Sequence, residues 1–223
     1  MKRFHKVVKR FIDIIFSVVG LLVALPIIGT MAVIIVRTSG GNAFFSQRRI
    51  GLKGKPFNLL KLRSMREIEG FDTTITTAND PRITKVGKFI RRTKIDELPQ
   101  LWNVLKGEMS FVGPRPDVPE LINTLSMKDQ ELLLSIRPGI TGLASLKYRG
   151  EEEILSCSDQ PAWLNNHVIF PDKLRLNKYY IDNQTVLMDL SILLQTVLGL
   201  GYKATPESMN QEFDLELANV VQQ

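Results

Sequence analysis

The chain has 223 residues, with 29 Lys and Arg against 23 Asp and Glu, a formal net charge of +6. That length suits one ordinary domain plus an appendage, and the positive balance points to a polyanionic partner: nucleic acid, anionic lipid or a phosphorylated small molecule. Cys157 is the only cysteine, so an internal disulfide is excluded, and with His5 and His167 far apart in sequence no zinc cluster can be built.

Met1 to Arg10 is basic, through Lys2, Arg3, Lys6, Lys9 and Arg10. Ile14 to Val36 then contains no charged residue, and a helix of that length reaches about 34 Å, enough to cross a hydrocarbon core of about 30 Å. A signal peptide would have a shorter apolar core and a small-residue cleavage site, which Thr38-Ser39-Gly40-Gly41 does not supply. Pro26 lies mid-run. It has no N–H to donate and crowds the Leu22 carbonyl, so a break in the helix is expected there. Basic residues flank both ends, with Arg37, Arg48, Arg49, Lys53 and Lys55 following the segment. Because positive charge marks the cytoplasmic side, a re-entrant helix that enters and leaves by one face removes the conflict. A plain kinked span is the alternative.

Residues 43–47 and 57–63 read as short strands around a Gly- and Lys-rich turn at 51–56. Lys61 and Arg63 alternate with Leu60 and Leu62 and so share one face, either solvated or phosphate-binding. Glu67 to Ala78 reads as a Thr-rich loop, Asp80-Pro81-Arg82 as a turn, and Val86 to Arg92 as a short basic helix.

The stretch from Arg91 to Pro116 is the centre of the chain. Arg91, Arg92 and Lys94 precede an acid pair, Asp96 and Glu97. Pro99 follows, then Leu98, Leu101, Trp102 and Leu105 at helical spacing, with Gly107 as a stop. Thr93 and Asp96 also fit a simple capping pattern. In Gly113-Pro114-Arg115-Pro116 two prolines stiffen the turn and fix Arg115, whose fork can bind two phosphate oxygens. Val118 to Leu134 reads as one amphipathic helix, residues 137–142 as a stiff turn, Leu143 to Tyr148 as a strand, Glu151 to Glu153 as a solvated face, and Pro171 to Ile181 as a helix. Leu187 to Leu200 is apolar but short for a span, which suggests a buried or interfacial helix. The tail after Lys203 is polar. The expected organisation is 1–40 basic terminus and membrane helix, 41–203 catalytic domain, and 204–223 tail. The expected class is α/β, mostly helical with a small sheet.

The ordered motifs Lys61-Leu62-Arg63-Ser64-Met65, Asp80-Pro81-Arg82-Ile83-Thr84, Asp96-Glu97-Leu98-Pro99-Gln100, residues 110–116 (SFVGPRP) and residues 137–142 (RPGITG) resemble the bacterial sugar transferase family, the monotopic phosphoglycosyl transferases, over roughly residues 5 to 200. The resemblance implies transfer of sugar-1-phosphate from a UDP-sugar to polyprenyl (undecaprenyl) phosphate, releasing UMP. That is the first membrane step of exopolysaccharide, capsule or O-antigen synthesis. It implies Asp96 as nucleophile and Mg²⁺ held by the acid pair and diphosphate oxygens, with Glu97 either helping to hold the metal or managing a proton. By motif position it offers Lys61, Arg63, Arg91, Arg115 and Arg149 as phosphate clamps, and Asp189 as an acidic position without an assigned role. It also implies a re-entrant helix broken at Pro26, a catalytic domain at the cytoplasmic face of the bacterial inner membrane with interfacial helices, and lipids as partners. A homo-oligomer is open; nucleic acid is not expected, since no binding motif interleaves aromatic and basic residues. The chain departs from the family pattern at Leu25, where Ser is common, at Leu62, where an aromatic is common, at residues 143–148 (LASLKY), and at Asn177, where Asp is frequent. The rival readings are a membrane glycosyltransferase moving only the sugar, which would release UDP, and a basic membrane scaffold.

Overall fold

The computed structural model describes residues 3–66, 68, 76–78, 80–200 and 204. The loop expected at Glu67 to Ala78 falls largely outside these residues, as does almost all of the tail.

Helix α1 (Arg3–Ser39) runs for 37 residues and includes Pro26. Among the described residues it is the one helix long and apolar enough to cross a membrane. The helical assignment of α1 continues through Pro26, so the break expected there does not interrupt the residue range of the helix. Pro26 removes one hydrogen bond, but packing holds the flanking turns together. Ala24 and Ile28 are buried, and Gly20 lies against Leu101. One stripe of α1 (Ala24, Ile28, Ile35) packs on Leu62, Ile90 and Leu101 of the domain. The opposite stripe leaves Phe11, Leu22, Val23 and Leu25 exposed.

Strands β1 (Phe44–Ile50) and β2 (Pro56–Leu62) pair antiparallel, from Phe44 opposite Leu62 to Ile50 opposite Pro56. Helix α2 (Lys85–Arg92), a 3₁₀ turn (Ile95–Glu97) and α3 (Gln100–Lys106) follow; Gly107, at φ 83°, closes α3. Then come β3 (Ser110–Val112), α4 (Pro119–Ile122), α5 (Met127–Leu133) and β4 (Gly139–Thr141). β3 and β4 are parallel, with Ser110 opposite Gly139 and Val112 opposite Thr141. A parallel pair needs a crossover, and α4 and α5 supply it. The two glycine motifs meet here. A Cβ on Gly113 would lie 2.6 Å from the Arg137 carbonyl oxygen, and one on Gly139 2.2 Å from the Gly113 nitrogen.

Beyond β4 lie α6 (Leu143–Lys147), α7 (Glu151–Ser156), α8 (Pro161–Leu164), a π-helical turn (Asn165–Ile169), α9 (Phe170–Asn183) and α10 (Val186–Leu198). Two expectations are corrected. Residues 143–147 are helical, with Tyr148 capping them, and the strand lies earlier, inside the stiff turn. The expected single helix from Val118 to Leu134 is two, because the chain turns after Ile122 and Ser126 starts α5 afresh by accepting from Asp129 N. Helix α10 buries Asp189 and Ile192 but exposes Leu187, Leu194 and Val197.

Candidate active site

The acid pair sits between two helices that pack on α1. The Thr84 hydroxyl caps α2 by accepting from Gly87 N at 2.8 Å. Gly87 lies so close to the end of β2 that a Cβ would come within 1.8 Å of the Ser64 carbonyl oxygen. After α2 the chain reverses at Lys94, φ 58°, and enters the 3₁₀ turn. Ile95 and Leu98 pack toward α1, in the cluster of Ile90 and Leu101. That fixes Asp96 and Glu97 between two apolar anchors. The capping pattern of Thr93 and Asp96 is not used: α3 has no side-chain cap, and the Thr93 hydroxyl donates back to Phe89 O.

The two carboxylates have opposite surroundings. Glu97 Oε1 accepts from Lys61 Nζ at 3.0 Å and from Arg115 Nη2 at 2.6 Å. Asp96 is 4% exposed, and its Oδ1 is buried without a hydrogen-bond partner. Burial raises the Asp96 carboxyl above the ordinary aspartate range. Lys61 opposes that, and the charge of Glu97 adds to it. Burial pushes Glu97 up as well, but Arg115 and Lys61 outweigh it and hold the carboxyl well below the usual range. Burial lowers the Lys61 ammonium against the pull of Glu97. The Arg115 side chain is 45% exposed, so the guanidinium that holds Glu97 also faces solvent.

Residues 4–202 match the family described as Bacterial sugar transferase. The chain belongs to the bacterial sugar transferase family. It is 38% identical over 215 residues to the Galactosyl transferase CpsE of Streptococcus agalactiae, covering 89% of this chain and 44% of that protein. It is 39% identical over 197 residues to a UDP-glucose:undecaprenyl-phosphate glucose-1-phosphate transferase of Klebsiella pneumoniae, covering 86% and 40%. It is 32% identical over 205 residues to the Exopolysaccharide production protein ExoY of Sinorhizobium fredii, covering 85% and 83%. The chain thus spans less than half the length of the first two relatives and most of the third.

Within this member of the family, the structure brings some of the sequence-selected residues together and leaves others apart. Lys61 and Arg115 meet on Glu97. Arg91 borders the pair: its Nη2 is ion-paired with Glu152, and its Nη1 donates to Ser64 Oγ at 3.3 Å. Arg63 does not share the Lys61 site. β2 ends at Leu62, and Arg63 turns to the end of α1, donating to Ser39 Oγ at 3.1 Å and to Gly40 O. Arg149 donates to Gln195 O, 3.2 Å away near the end of α10. Asp189 accepts from Lys9 Nζ at 2.6 Å and from the Tyr180 hydroxyl at 2.6 Å, joining α10 to α1.

A second charged group adjoins Arg115 and was not singled out from the sequence. Arg49 Nη1 donates to Pro116 O at 3.1 Å, and Lys173 pairs with Glu151 at 2.5 Å. Burial raises the neighbouring Asp117 carboxyl, opposed by Lys173, Arg49 and Arg115. Only the position of Asp117 directly after the Gly-Pro-Arg-Pro turn could have flagged it.

Among the described residues no three His, Cys, Asp or Glu side chains are grouped to hold a metal. A hard divalent cation bound here would have Asp96 and Glu97 as its protein ligands. The orphaned Asp96 Oδ1 fits such a cation, which keeps water or substrate phosphate oxygens for its other positions.

Proposed function

We propose that this chain transfers sugar-1-phosphate from a UDP-sugar to polyprenyl phosphate, with Asp96 as covalent nucleophile. The observation behind this is the asymmetry of the acid pair. Glu97 is neutralised by Lys61 and Arg115, while Asp96 keeps a buried oxygen that no protein group engages. An unsolvated, basic carboxylate beside fixed cations suits attack on an anionic phosphorus. The relatives' names, among them an undecaprenyl-phosphate glucose-1-phosphate transferase, support the same substrate classes.

In the first step an Asp96 oxygen forms a bond to the sugar-bearing phosphorus. The phosphoanhydride bond breaks, and its electron pair leaves on UMP. In the second step an oxygen of polyprenyl phosphate attacks the same phosphorus, and the Asp96 carboxylate departs. Arg115 and Lys61 offset the charge that gathers on the transferring phosphoryl oxygens, and Glu97 holds both cations in place. Asp96 and Glu97 would hold Mg²⁺, which when bound supplies neutralisation of the diphosphate.

The proposed location is the cytoplasmic face of the bacterial inner membrane, with α1 bending at Pro26 so that it enters and leaves by that face. Support comes from both ends of α1 contacting one domain, Lys9 at Asp189 and Ser39 at Arg63. The exposed apolar residues of α1 and α10 support seating at the lipid interface. The product would be the first lipid-linked sugar of a surface glycan.

The deciding assay offers a panel of UDP-sugars with undecaprenyl phosphate and Mg²⁺ and follows the nucleotide. UMP release, with label from the donor trapped on Asp96, is expected. UDP release, or an active preparation that never carries label on Asp96, rules the proposal out.

A further inference from the structure

The polar residues at the start of α1 are turned inward. Asp13 is 3% exposed although it lies at the edge of an apolar run. Its Oδ1 accepts from Ser110 Oγ at 3.1 Å and from the Phe111 backbone N–H at 3.1 Å. Its neighbour Arg10 donates to Val104 O at 2.6 Å and Leu105 O at 2.8 Å, near the C-terminal end of α3. Lys9 binds Asp189 of α10.

These contacts bear on Arg115. β3 is three residues long and has one strand neighbour, β4. Ser110 N–H donates to Pro138 O across that ladder at 2.8 Å. Alternate N–H groups of a strand point to opposite sides, so Phe111 N–H points away from β4 and needs a partner elsewhere. Asp13 is that partner. Gly113 and Pro114 then tie the chain to Thr141 and Gly139 with bonds of 2.9 and 2.7 Å, and Arg115 follows directly and reaches Glu97. β3 is therefore held on one side by β4 and on the other by a carboxylate of the membrane helix.

We infer that Asp13 is a positioning residue for the transfer reaction: it sets β3, and through β3 the Arg115 guanidinium against Glu97. The activity part of this inference rests on the transferase reading above; the geometric part does not. Asp13 touches neither substrate nor the reacting groups. Its role needs an oxygen acceptor at that point, so Asn should serve and Ala should not.

The test compares full-length Asp13→Ala and Asp13→Asn in detergent or nanodiscs. Asp13→Ala is expected to lower kcat per folded molecule about 10- to 100-fold, as expected for buried donors left unpaired, with KM for polyprenyl phosphate within about threefold. Asp13→Asn should stay within about threefold of the parent on both constants. Hydrogen exchange of the peptide spanning residues 110–115 should speed up in Asp13→Ala and not in Asp13→Asn, with α9 unchanged in both. A role confined to stability would lower the unfolding midpoint and leave kcat per folded molecule intact, and that result overturns the inference. Unchanged exchange over residues 110–115 in Asp13→Ala overturns it too. The exchange measurement does not depend on turnover, so it remains decisive if the transferase reading fails.

Discussion

Asp96 and Glu97 are adjacent in the chain yet are pushed in opposite directions, Asp96 toward its protonated form and Glu97 toward its ionised one. The 3₁₀ turn aims Glu97 at Lys61 and Arg115 and leaves Asp96 Oδ1 facing no donor. One residue organises the cations, and the other is free for chemistry.

Replacing Asp96 with Asn should lower UMP release by a factor on the order of 10³ or more, because the proposed mechanism then lacks its nucleophile. It should also raise the unfolding midpoint near neutral pH. The folded-state pKa of Asp96 lies above its unfolded value, so the ionised side chain opposes folding wherever the unfolded chain is ionised. The gain should vanish in acid, where both states are protonated. Thermal unfolding across pH, beside the assay, checks both. An Asn variant that is inactive and less stable at neutral pH would contradict this account of the site.

In the metal-free protein the Asp96 carboxyl should titrate above the ordinary aspartate range, near 3.9, because burial outweighs the pull of Lys61. Glu97 stays ionised across that range. Carbon-13 NMR of the labelled aspartate carboxyl checks this, and titration in the ordinary aspartate range would contradict a buried, unengaged Asp96.

Glu97→Gln should destabilise the protein by about 1–2 kcal/mol at neutral pH, a figure reduced because Arg115 is half exposed. Glu97 has a folded-state pKa below its unfolded value. Its contribution is therefore complete above the ordinary glutamate range, about 4.3, and is lost as pH falls through the folded value. The difference between Gln variant and parent should narrow in acid, as denaturant titrations at several pH values would show.

Gly113→Ala should cost more than about 2 kcal/mol and abolish turnover. The added methyl would lie 2.6 Å from the Arg137 carbonyl oxygen and 3.0 Å from the Gly139 nitrogen, both backbone atoms that cannot step aside. Separating β3 from β4 moves Arg115 with it. An unfolding midpoint equal to the parent's would show that the two motifs do not pack this closely.

Asp189→Ala should destabilise by roughly 3 kcal/mol, because it leaves the largely shielded Lys9 ammonium and the buried Tyr180 hydroxyl without their shared acceptor. Limited proteolysis should cut near the start of α1 sooner than in the parent. Resistance equal to the parent's would mean that this contact does not hold α1 down.

Much of the site is legible in the residues themselves. An acid pair between a basic helix and a proline, and a doubly braced arginine further on, mark out the charged residues of the site before any folding is considered. Lys61 and Arg115 converge as that pattern suggests. The sequence hides where strands end. Lys61 and Arg63 share a face only while the strand lasts; β2 stops at Leu62, and Arg63 goes to α1 instead. Residues 143–148 carry too few side chains to separate a period of 2 from one of 3.6, and the adjacent β4 is only three residues long. Asp13 was invisible for a different reason. A carboxylate at the edge of an apolar run looks like the boundary of a membrane segment, and only the folded chain shows Phe111 N–H beside it.

Helix α1 covers Leu62, Ile90 and Leu101 along one stripe and shows apolar residues to the surroundings along the other. Trimming residues 1–40 to obtain a water-soluble enzyme would therefore strip a wall from the folded unit and uncover its interior. On the proposed seating at the lipid interface, detachment from lipid and unfolding become coupled events, and handling the chain calls for a bilayer mimic from extraction onward.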